Sequence, residues 1–195
     1  MDADFSIELG ADDPVLDFPW ADPSGLVVYY DLKRHPELIA NVDEARKFPE
    51  LAPFLRSVNS TRSAFESAKC DAWATTELTA EEDIFDAADR DAARKFSSYV
   101  DLVCSNSEKR RSFDFHEAFA RKLTDLLRRA PEMPAAAEIC VRRCFLAETQ
   151  PVLEAFYFTI YVNGYGADEA AAQTNWAIGL QLLGNAIMQL SAGWQ

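Results

Sequence analysis

Cys70 stands between Lys69 and Asp71, with Trp73 close behind, in the stretch SAKCDAWA at 67–74. A thiol beside a cation, open to solvent, is the arrangement that lowers a cysteine pKa and makes a nucleophile. The other candidates for chemistry are few. Cys140 and Cys144 are four residues apart, Cys104 lies elsewhere, and the only histidines are His35 and His116. A closed zinc site takes four nitrogen or sulfur ligands, commonly from a C-x2-C pair, and the chain has no such pair, so no metal is expected. His35 precedes a proline in a polar turn. His116 falls in the first turn of an expected helix, where the dipole disfavours the imidazolium. Both read as surface residues. No phosphate-binding glycine loop, zinc-protease motif, nucleophile elbow or calcium loop occurs, and no cofactor is expected. NGYGADE leads into a helix, but Asp168 and Glu169 already place carboxylates there, which reads as a cap.

The alternation around Cys70 argues against a reactive thiol. Over 64–75, Ala64, Glu66, Ala68, Cys70, Ala72 and Ala74 would share one side of a strand, and Phe65, Ser67, Lys69, Asp71, Trp73 and Thr75 the other. On that reading the cysteine packs among alanines. Residues 95–105 alternate again, and 153–164 most clearly, with Phe156, Phe158, Ile160 and Val162 opposite Tyr157, Thr159, Tyr161 and Asn163. The outward sides collect into one polar-aromatic face: Lys69, Asp71, Trp73, Tyr99, Asp101, Arg142 or Arg143, Tyr157, Thr159, Tyr161 and Asn163. Tyrosine, tryptophan and arginine dominate binding hot spots. Lys69, Asp71, Trp73, Tyr99, Asp101, Tyr157 and Tyr161 are therefore the candidate ligand- or partner-binding residues. Asp71 or Asp101 would be the acid–base group if a tyrosine-lined pocket did chemistry.

The elements that must position these residues run in the order β-α-β-β-α-β-β-α. LVVYYDL at 26–32 reads as a strand, Leu38, Val42 and Ala45 as a helix that Pro49 ends, and 51–58 as a second helical piece. Thr79 and Glu82 form a capping-box pattern for a short acidic helix reaching about residue 90. SNSEKRRS reads as a loop, and Phe115, Phe119, Leu123 and Leu127 mark a helix. Residues 138–146 fit strand or helix, with strand preferred, and Asp168 caps a long last helix. The expected class is α+β: an antiparallel sheet of four to five strands with helices mainly on one face. A ferredoxin-like sandwich and a duplicated ββα unit are the candidate arrangements. Residues 1–25 read as an extended acidic arm tied down by Phe18 and Trp20, and 26–195 as one domain.

The chain of 195 residues carries a net charge of −13, unevenly spread. Residues 1–31 hold eight acids and no Lys or Arg, and residues 77–91 hold seven acids against Arg90. This disfavours nucleic acid and anionic membrane as partners. It suits a protein with a basic surface, or a small ligand on the aromatic face. An acidic inhibitor of a basic enzyme is a further reading, and a homodimer could pack sheet to sheet. No apolar run reaches the ~20 residues of a membrane span, and the first residues lack the pattern of a secretory signal. With four scattered cysteines, the expectation is a non-catalytic binding protein of the cytoplasm.

Overall fold

The computed structural model describes residues 1–76, 78, 92–147 and 149–193. The expected helix from Thr79 to about residue 90 lies outside them. Along the chain run β1 (Asp2–Glu8), β2 (Leu16–Phe18), a 3-10 turn (Pro36–Asn41), α1 (Asp43–Lys47), α2 (Leu51–Val58), β3 (Phe65–Thr75) and β4 (Arg94–Cys104). Then come α3 (Ser107–Arg110), α4 (Phe113–Arg128), β5 (Ala135–Leu146), β6 (Leu153–Gly166) and α5 (Glu169–Ala192). The sheet has six strands in the order β1-β5-β6-β4-β3, with β2 continuing the line of β1 along β5. The class is α+β, as expected, but the sheet is mixed. β1 and β2 run parallel to β5, and all other pairings are antiparallel.

Two corrections concern the N-terminal third. Within the first 25 residues, Asp2–Glu8 and Leu16–Phe18 pair with β5 at the sheet edge as β1 and β2, while Phe18 and Trp20 pack down as read. Conversely, 26–32 forms no strand. The reason is local competition for its backbone. The Asp22 carboxylate accepts the N–H groups of Ser24 (3.0 Å), Leu26 (2.8 Å) and Val27 (3.0 Å), so these donors are spent within a turn rather than on a neighbouring strand. The strand order also departs from a ferredoxin-like sandwich, because β6 lies between β5 and β4 and the strand before the helices, β2, pairs at the edge with β5. Residues 138–146 are strand, within β5, and the expected loop after β4 contains α3, capped by the Asn106 side chain.

The helices cover one face. α4 lies over β1 and β5, α5 over β6 and β4, and α2 beside α5 toward β3. Phe65, Phe119 and Phe158 meet in this core at centroid distances of 4.8 to 5.7 Å. Trp176 is fully buried and donates its indole N–H to Ser98 Oγ at 2.8 Å. α5 approaches β6 so closely that a Cβ on Gly164 would land on the backbone of Trp176 and Ala172. His116, expected at the surface, is 0% exposed among Phe115, Phe156 and Phe158. Its ring Nδ1 meets Ser112 O at 2.8 Å, and burial lowers its pKa to about 4. It sits on the apolar stripe of α4, and that placement outweighs the helix-start position that suggested exposure. No helix among the described residues is long and apolar enough to cross a membrane.

Candidate functional site

The face without helices is organised by an irregularity in β3. Phe65–Ser67 pair with Cys104–Leu102, and Cys70–Thr75 pair with Val100–Lys95. Ala68 and Lys69 together oppose Asp101, which is a β-bulge. The extra residue reverses the alternation. Phe65, Ser67, Cys70 and Ala72 all turn toward the helices, and Lys69, Asp71 and Trp73 turn away. The strict alternation read for 64–75 is therefore corrected: Phe65 belongs with the core and shares the face of Cys70. The placement of Lys69, Asp71 and Trp73 on the side away from the helices is as read.

With the bulge in place, each strand except β2 sends a side chain into one row across the sheet. Glu8 Oε2 accepts from Arg142 Nε at 2.7 Å, and Arg142 Nη1 donates to the Tyr161 hydroxyl at 3.4 Å. Tyr161 and Tyr99 are 6.1 Å apart by ring centroid, and Tyr99 and Trp73 6.5 Å. Burial works to raise the Glu8 pKa, but the Arg142 guanidinium holds it below the usual carboxylate range. Next to this row Asp101 is buried and accepts from Thr159 Oγ1 at 2.7 Å. Burial raises it to about 6, against the opposing pull of that hydrogen bond and of Lys69 and Arg142. Tyr99 is pushed up to about 12 by burial and by the Asp101 and Asp71 charges, so its phenol stays protonated at neutral pH.

A strap formed by residues 16–30 closes the other end of the face. Leu16, Phe18, Trp20 and Tyr29 pack over Val103, Cys144, Ala155 and Tyr157. Trp20 donates its indole N–H to Ala68 O at 2.7 Å, on the bulge itself, and Lys69 Nζ lies 5.1 Å from the Trp20 ring centre. Tyr157 is thus covered by the strap, near Asp101 and Arg142.

Where the strap reaches β3 it leaves a cleft of about 800 Å³. One wall is the strap turn, from Trp20 through Val28 to Tyr30 and Leu32. The second is Asn41, Val42, Asp43, Glu44 and Leu55, and the floor is Ser67 to Asp71 with Tyr99. Of the seven sequence candidates, Lys69, Asp71 and Tyr99 line it. Trp73 and Tyr161 continue along the aromatic row, and Asp101 and Tyr157 lie beneath the surface. Of the two alternative acid–base candidates, Asp71 lines the cleft and Asp101 does not.

Three properties of the cleft bear on what it holds. It is acidic: Asp22, Asp43, Glu44 and Asp71 line it against Lys69, with Asp43 ion-paired to Arg46. Its lip is apolar, with Leu26, Val27 and Val28 exposed at 86%, 59% and 56%. Third, it lies on an edge strand that is capped over only part of its length. Lys33 Nζ donates to Phe65 O, the Asn59 side chain accepts from Ser67 N, and Trp20 covers Ala68 O. From Cys70 to Ala74, no second strand among the described residues pairs with β3 on the side away from β4, and the Asp71 carboxylate accepts the Ala72 N–H at 2.7 Å.

Cys70 belongs to the floor of this cleft, and its thiol is held in the protonated form. Burial, then the charges of Glu44, Asp71 and Asp101, push its thiol up to about 12. The one cluster with metal-ligating donors among the described residues is Glu8, Glu138 and Cys140, within 4.8 Å of one another. Arg142 already neutralises Glu8, and burial raises the Cys140 thiol to about 12, so the chemistry opposes a cation there. Trp20, Leu26–Val28 and Glu44 were not among the sequence candidates. The DPSG turn was the signal that this segment doubles back. No family model, curated protein or solved structure matches the chain.

Proposed function

We propose that the protein is a non-catalytic binding protein whose cleft receives an extended, basic segment of a partner protein. The observation that carries this reading is the acidic cleft of about 800 Å³ whose floor, Ser67 to Asp71, lies on an edge strand of the sheet. A segment entering the cleft at Cys70 and Asp71 would lie along the outer edge of β3, and its alternate side chains would face the apolar lip and the aromatic row. Lysine or arginine on that segment would meet Glu44 and Asp71. The four free cysteines fit a reducing, cytoplasmic setting. The side-by-side hairpins β3–β4 and β5–β6, each followed by a helix, support reading the body as a duplicated ββα unit.

Selection of a random displayed peptide library on the immobilised protein tests the reading. Recovered sequences should alternate Lys or Arg with apolar residues. Their affinity should fall about tenfold in the double variant Glu44→Gln, Asp71→Asn and weaken with added salt. Enrichment of acidic or uncharged peptides, no enrichment, or affinity indifferent to the double variant would each reject it.

A further inference from the structure

Residues 170–195 contain no Asp, Glu, Lys or Arg, in a chain that is 26% charged. At that frequency about seven charges would fall in such a stretch, and exposed surfaces ordinarily carry at least that share. Burial accounts for part of the deficit, since nine residues of α5 are buried, but the exposed positions beyond Glu169 are uncharged as well. Thr174, Ile178, Gln181, Asn185 and Gln189 are exposed on one outward stripe of α5, at spacings of four, three, four and four. α5 contacts both α2 and α4, so its stripe runs along the middle of the helix layer.

We propose that this face of α5 is where a second copy of the chain packs. A second copy brings the same charge of −13, so a stable contact needs a surface that sets no like charges against each other. The α5 stripe meets that condition. Its amides are also self-complementary, because each offers both a donor and an acceptor, as a two-fold contact between identical surfaces requires. Depletion of charge with apolar residues between is the composition of an interface centre. A helix of this length is about 36 Å long and about 11 Å wide, so the stripe supplies about 400 Å², half of the ~800 Å² per partner of a standard interface. The remainder falls to the flanking α2 and α4, whose exposed residues include Arg56, Lys122 and Asp125, charges of both signs. This inference is independent of the cleft.

Sedimentation equilibrium on the full chain decides it. The wild type should show twice 21.8 kDa. Asn185→Arg, which sets two like charges across the two-fold, should weaken association about a hundredfold and return the mass to 21.8 kDa. Its circular dichroism and melting should match the wild type, and Asn185→Gln should keep the dimer. A wild type that stays monomeric at roughly 100 μM overturns the proposal and leaves the stripe to a foreign partner. So does a dimer that survives Asn185→Arg, or one broken only by Tyr161→Arg, which would place the contact on the sheet.

Discussion

The two faces of the sheet each bury a titratable group, and they do so in opposite ways. On the helix side His116 is enclosed by phenylalanine rings, with one backbone carbonyl for its ring nitrogen. On the strap side Asp101 keeps a hydrogen bond from Thr159 and the nearby charges of Lys69 and Arg142. The helix side is closed by large apolar area and tolerates little change. The strap side is closed by a peptide segment that packs a smaller apolar cluster and is tied to the bulge through Trp20, and it retains polar groups beside that cluster.

The sharpest way to break the comparison is at the tight helix contact. Gly164→Ala puts a methyl group against the backbone of Trp176 and Ala172, which cannot yield as a side-chain tip can. We expect a loss of at least about 3 kcal/mol, seen as a collapse of the urea midpoint.

Next in size are the two buried titrations. His116 takes its proton near 6.5 when unfolded and near 4 when folded, so its contribution is whole above 6.5 and is lost as pH falls toward 4. Asp101 titrates near 3.8 unfolded and near 6 folded, so its contribution is whole below 3.8 and is lost as pH rises toward 6. Each amounts to about 3 kcal/mol, and between pH 4 and 6 they oppose each other. The wild type should therefore show a nearly flat stability in that window. Asp101→Asn should be more stable at pH 7 by up to about 3 kcal/mol and should lose stability steadily from pH 6.5 to 4. Identical pH profiles of wild type and variant in urea titrations would show that the two groups are not balanced in this way.

The smallest effect is expected at the strap. Trp20→Phe keeps the ring over Lys69 but removes the donor to Ala68 O, at a cost of about 1 kcal/mol. Hydrogen exchange should quicken at 16–30 while α5 is unchanged. Equal loss of protection in both would mean that the strap and the helix layer open as one unit.

Much of this was legible in the sequence where one period ruled a whole element. β4, β6, α4 and α5 stand where alternation or 3–4 spacing put them, and Tyr99, Asp101, Tyr157 and Tyr161 share the face read for them. β1 was missed: DADFSIE is too short to establish a period, and Pro14, Pro19 and Pro23 beyond it made the whole start read as an extended arm. LVVYYDL had the composition of a strand and lacked its donors, which Asp22 takes. The bulge left no trace, because Ala68 and Lys69 are equally at home on either side of a sheet, and so Phe65 was placed on the wrong face.

The doubled step at Ala68–Lys69 has a bearing on how the chain can change length. Losing one residue from a strand ordinarily turns every later side chain to the wrong side. In β3 the same deletion would carry Cys70, Ala72 and Ala74 on in phase with Phe65 and Ser67. An in-frame loss at this point is then survivable where elsewhere it would be ruinous, and its damage would fall on the aim of Lys69 and the seat of Trp20, on ligand choice before folding.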